Sequence, residues 1–120
     1  MDYKVITAKQ LDRFTEKCNI MLKNGWTPYA SVSIERSWYS DQSGEYLISQ
    51  AFIQTNQNKI KEYKVVFGKD IDKDVSLLLF KGWKLNGNLV VILDRNNPLF
   101  CQVCIREEQS PELNLLDMTK

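Results

Sequence analysis

The chain carries the same short motifs twice in the same order, and this duplication limits its fold more than any other feature. Tyr3-Lys4-Val5-Ile6 returns as Tyr63-Lys64-Val65-Val66, and Gly25-Trp26 returns as Gly82-Trp83. Gln50-Ala51-Phe52-Ile53 returns as Gln102-Val103-Cys104-Ile105. The offset between copies shrinks from 60 to 57 to 52, so the second copy is shorter before its Gly-Trp and again between its last two strands. Each copy alone would bury too small a fraction of its surface to be more than marginally stable. A chain of 120 residues is also the size of one domain. The expectation is therefore a single domain over 1–120, with repeat 1 at 1–54, a linker at 55–61, repeat 2 at 62–106 and a C-terminal tail at 107–120.

Each copy opens on a β-rich segment, Tyr3–Ile6 or Tyr63–Phe67. In the first, Thr7 and Gln10 have the spacing of a capping box. Leu11, Phe14, Cys18, Met21 and Leu22 then follow at helical spacing, and Gly25 suits the left-handed position beyond a helix end. The second helix is shorter, with Ile71, Val75, Leu78 and Leu79 as its stripe and Gly82 as its stop. Asp70, Asp72 and Asp74 favour its N-terminal dipole. A calcium loop would need Gly where Val75 stands and Glu where Lys81 stands. Residues 29–34 and 88–93 read as strands that form hairpins with 46–54 and 99–106. The fold expected is α+β: two β-α-β-β repeats with pseudo-twofold symmetry, an antiparallel-rich sheet and helices on one side.

Composition removes several classes of function. A formal charge of +1 lacks the basic footprint of bulk nucleic-acid binding. No apolar run is long enough for a membrane span, and the start lacks a secretion signal, so the expected location is cytoplasmic. Three cysteines argue against a disulfide framework. Cys101 and Cys104, three apart in a strand, point to opposite faces, and no histidine is present to complete a zinc site.

Tyr3-Lys4-Val5-Ile6-Thr7-Ala8, Leu22-Lys23-Asn24-Gly25-Trp26 and Gln50-Ala51, set around a helix and a strand, resemble a family of short bacterial and phage proteins. That family is the domain of unknown function 1737. The likeness covers 2–54 closely and 62–106 more loosely, where Phe67-Gly68 replaces the Thr-Ala step. It implies a β-α-β-β unit, here in tandem like a covalently fused dimer, and carries no catalytic residues. The family's distribution implies a phage or bacterial accessory role, such as anti-defence.

No catalytic residues are assigned, because histidine is absent and no phosphate loop, nucleophile elbow or metal cluster occurs; no cofactor is expected. Binding has better support. The long first hairpin gathers Arg36, Trp38 and Tyr39, residue types enriched where interfaces concentrate their affinity; the alternative is that the aromatics cover a sheet edge. Gln50 and Gln102 either face a ligand or partner across the seam between repeats or hydrogen-bond each other or water. Lys4, Lys64, Arg95 and Arg106, converging with Arg36 and Tyr39, would form an anion pocket; otherwise they are solvated strand charges. The preferred function is a non-enzymatic binding protein acting on a host protein partner and assembling as a homo-oligomer. The alternative is sequestration of a small anionic or nucleotide ligand at the seam, and the least favoured is an enzyme using loop carboxylates.

Overall fold

The computed structural model describes residues 2–36, 46–55, 59–94 and 96–108. Along the chain lie β1 (Tyr3–Ala8), α1 (Leu11–Lys23), β2 (Trp26–Arg36) and β3 (Tyr46–Gln54), then β4 (Ile60–Gly68), α2 (Asp72–Phe80), β5 (Lys84–Asp94) and β6 (Asn97–Glu107). The fold is mixed α and β, with two three-stranded antiparallel sheets ordered β1-β3-β2 and β4-β6-β5.

The element types match the sequence reading, and several ends move. Thr7 belongs to β1, where it is paired opposite Ser49, so it does not cap α1. The helix starts at Leu11, with Gln10 as an N-cap that makes no side-chain bond. β4 already begins at Ile60 and β6 runs to Glu107, because Glu108 N–H donates to the Lys59 carbonyl at 2.7 Å and draws both ends together. These strands therefore reach into the segments expected as linker, 55–61, and tail, 107–120. Gly25 and Gly82 have the expected positive φ, at 86° and 96°.

Alternation along the strands sorts each sheet into two faces. In the first sheet Val32, Ile34, Ile48, Gln50 and Phe52 lie on the face that carries α1. Tyr3, Val5, Tyr29, Leu47, Ala51 and Ile53 lie on the other. In the second sheet Val66, Phe100 and Cys104 pack under α2 with Ile71, Val75, Leu78 and Trp83. The opposite face presents Tyr63, Val65, Cys101, Val103 and Ile105 to the larger core, which they share with α1 and the first sheet. Cys101 and Cys104 therefore lie in separate cores, as their spacing requires.

The two sheets thus meet through unlike faces. The helix-bearing face of the first packs on the helix-free face of the second, with the Phe52 and Tyr63 rings 6.3 Å apart and the Tyr46 and Phe67 rings 5.4 Å apart. α1 lies against β4 and fills the place a fourth strand would take. The Asn19 side chain accepts from Tyr63 N–H at 2.9 Å and donates to the Tyr63 carbonyl at 3.0 Å. It copies a strand's bonding pattern and closes an edge that would otherwise invite pairing. Asn19→Ala should lower stability by about 1–3 kcal/mol, the range for two buried backbone groups losing one partner side chain. A denaturation midpoint equal to that of wild type would contradict this role.

Candidate functional site

The two sheets share an irregularity at the same relative place. Pairing of β2 with β3 shifts between Tyr29 and Ser33, and pairing of β5 with β6 shifts between Asn86 and Val90. At these bulges Ala30 has φ 62° and Gly87 has φ 77°. A bulge leaves carbonyls without ladder partners, and in both sheets a glutamine from the central strand supplies one. Gln50 Nε2 donates to the carbonyls of Tyr29 at 2.9 Å and Ala30 at 3.2 Å. Gln102 Nε2 donates to the Gly87 carbonyl at 3.3 Å. The two bulges also touch: Asn88 N–H donates to Ser31 Oγ at 2.7 Å.

The matched glutamines therefore do not bond to each other; each braces the bulge of its own sheet. Gln50 is fully buried, and its Oε1 accepts from Tyr63 Oη at 2.8 Å across the sheet-to-sheet contact. Against the alternatives for Gln50, facing a ligand across the seam or bonding to Gln102 or water, the partners of its amide in this chain are Tyr29, Ala30, Ala51 and Tyr63. Gln102 also braces its bulge, yet it borders open space. A cleft of about 830 Å³ runs between α2 and β5 on the outer side of the second sheet, with Val75, Leu85, Leu89, Phe100 and Gln102 among its walls.

Among the described residues, the expected cations lie on different sheets. Lys64 and Arg106 share the helix-bearing face of the second sheet with Gln102, whereas Lys4 is exposed on the first. Arg106 Nε donates to Glu62 Oε1 at 3.2 Å, directly across the strands. A smaller hollow of about 610 Å³ brings Arg106 together with Lys61 and Lys81, alongside Glu107 and Glu108. Arg36 ends β2, its backbone opposite Tyr46. Trp38, Tyr39 and Arg95 lie outside the described residues.

The thiols are poor nucleophiles. Burial pushes Cys18 and Cys101 up to about 12. Burial also raises Cys104, partly offset by the charge of Lys64. Tyr63 is raised strongly by burial first, then by neighbouring Cys18 and Cys101. Because reactivity belongs to the thiolate, none of the three serves as a nucleophile near neutral pH. The sign for stability follows from linkage. The folded chain keeps these protons after the unfolded chain, at the ordinary thiol value of 9.0, has lost them. Stability should be level below about pH 8 as far as these groups decide it, and should fall between about 9 and 12. Urea midpoints that stay level from pH 8 to 11 would contradict this.

Sequence reasoning missed the cleft. A signal was present in Leu89-Val90-Val91-Ile92-Leu93, an unbroken apolar run of the kind found in strands covered on both sides. Among the described residues only one side is covered: Val90 and Ile92 join the large core, while Leu89, Val91 and Leu93 are exposed. No helix among the described residues is long and apolar enough to cross a membrane. Comparison with protein-family models, curated proteins and solved structures finds no match to this chain.

Proposed function

We propose that this chain is a non-enzymatic binding protein that acts on a host protein partner and works as a homo-oligomer, in a phage or bacterial accessory role such as anti-defence. The observation that carries the reading is the amount of apolar side chain left facing outward on strands of both sheets: Tyr3, Val5, Tyr29 and Leu47 on one, Leu85, Leu89, Val91 and Leu93 on the other. Contiguous apolar surface of this kind marks association sites rather than solvent-facing sheet. The two β-α-β-β units are read as a duplication, supported by the shared strand order, the matching bulges and the glutamine that braces each. Because unlike faces meet, a head-to-tail relation describes the units better than the expected pseudo-twofold axis.

Capture from host lysate tests the partner. The Trp38 hairpin is the expected contact, so wild type should retain one stoichiometric protein that Trp38→Ala loses while its melting curve is unchanged. Failure to retain any protein would count against the reading. The alternative, sequestration of a small anion, draws on the hollow with Lys61, Lys81 and Arg106. Carboxylates already engage two of these cations, Glu108 at 3.6 Å from Lys61 and Glu62 at 3.2 Å from Arg106, which favours the protein reading.

A further inference from the structure

The contact between the two units gives a template for what covers the faces they leave open. Inside the chain, unit 1 offers the uncovered part of its helix-bearing face and unit 2 inserts its helix-free face. At the two ends of the chain the same surfaces recur without an occupant among the described residues. The helix-free face of unit 1 matches the inserted one: Tyr3 stands where Tyr63 does and Val5 where Val65 does. Tyr63 and Val65 are 1% and 8% exposed, whereas Tyr3 and Val5 are 65% and 48% exposed. The cleft of unit 2 matches the receiving face, with Leu89 in the place of Val32 and Val91 in the place of Ile34. Val32 and Ile34 are 3% and 7% exposed, whereas Leu89 and Val91 are both 53% exposed.

We infer that a second copy of this chain inserts its Tyr3–Val5–Tyr29 face into the cleft lined by Leu85, Leu89 and Phe100, repeating between chains the contact already made within each. This rests on the homo-oligomer proposed above and assigns its interface. The polar contact repeats as well. Tyr63 Oη donates to Gln50 Oε1 inside the chain, and between chains Tyr3 Oη donates to Gln102 Oε1, which has no partner among the described residues. The contacts differ at the bulges. Gly87 passes so close to Ser31 that an added Cβ would lie 2.8 Å from the Ser31 Cα, and Ala30, in the matching place, carries that Cβ. Copies therefore cross there at a wider separation than the internal units. A contact between unlike faces is heterologous, so it builds a closed ring or an open chain rather than a twofold pair.

The test uses Val5→Asp, which blocks the inserting face, and Leu89→Asp, which blocks the cleft. Both residues are exposed in the single chain, so each variant should keep the wild-type circular dichroism spectrum and sediment as a monomer of 14.0 kDa. Mixed, the two should form a one-to-one dimer and nothing larger, since only one competent cleft meets one competent face. Tyr3→Phe should weaken wild-type assembly without abolishing it. A wild-type monomer at all concentrations would overturn both the homo-oligomer and this interface. An oligomer broken by Val5→Asp but untouched by Leu89→Asp, or variants that do not pair when mixed, would overturn the head-to-tail interface and leave the homo-oligomer intact.

Discussion

Gln50→Leu should destabilise the chain by about 3–5 kcal/mol, although leucine nearly matches glutamine in volume. The loss is polar. Gln50 is the shared partner of the Tyr29 and Ala30 carbonyls and of the Tyr63 hydroxyl, itself buried in the core. Each buried group left unpaired costs about 1–3 kcal/mol. Removing the hydroxyl as well should return part of that loss, because replacing both members of a buried pair by apolar groups is far cheaper than removing one. Tyr63→Phe should therefore cost less in the Gln50→Leu background than in wild type, a coupling that a double-mutant cycle in urea reads directly. Gln102→Leu should cost less than Gln50→Leu, since Gln102 holds one bulge carbonyl at 3.3 Å and no tyrosine among the described residues of its own chain. Equal losses at the two positions would show that the buried tyrosine adds nothing.

Gly87→Ala should cost about 2–5 kcal/mol, from two causes that add. The positive φ of 77° disfavours any residue with a Cβ by about 1–2 kcal/mol. The new Cβ would also lie 2.8 Å from the Ser31 Cα and 3.2 Å from the Ala30 carbonyl oxygen. These are backbone atoms of the facing sheet, so relief requires the sheets to part, and overpacking of this kind adds about 1–3 kcal/mol. Gly82→Ala is the control. Its φ of 96° carries the same backbone penalty, but nothing lies within 4 Å of the added atom. It should cost about 1–2 kcal/mol, and the difference between the variants isolates the closeness of the two bulges. Equal effects would mean that the bulges separate freely.

What the sequence made legible follows from local physics. Helix stripes, the glycines after each helix and the opposed cysteines are set by neighbours in the chain, and Phe14, Cys18, Met21 and Leu22 are buried as their spacing requires. Gly25 and Gly82 adopt the left-handed backbone that ends a helix. The recurring motifs were also visible, because matching copies of a motif need no tertiary information. How the copies meet was not, because Tyr3 and Tyr63 are identical in type and local context. Only the assembled chain shows that one is a buried donor to Gln50 while the other faces outward. Gln50 and Gln102 stood out as a pair, but a bulge leaves no mark that spacing can detect, so their bracing role was hidden. Asn19 gave no signal for the same reason, since its partner Tyr63 on β4 is 44 residues away. The cleft had a legible trace in the apolar run 89–93, whose outward half makes sense only with something covering it.

The most direct test of the account is native mass spectrometry of the wild-type protein, purified gently from its expression host. The expected result is a whole-number multiple of the 14.0 kDa chain with no added small-molecule mass. A bare monomer, or an assembly carrying a co-purified small ligand, would contradict it.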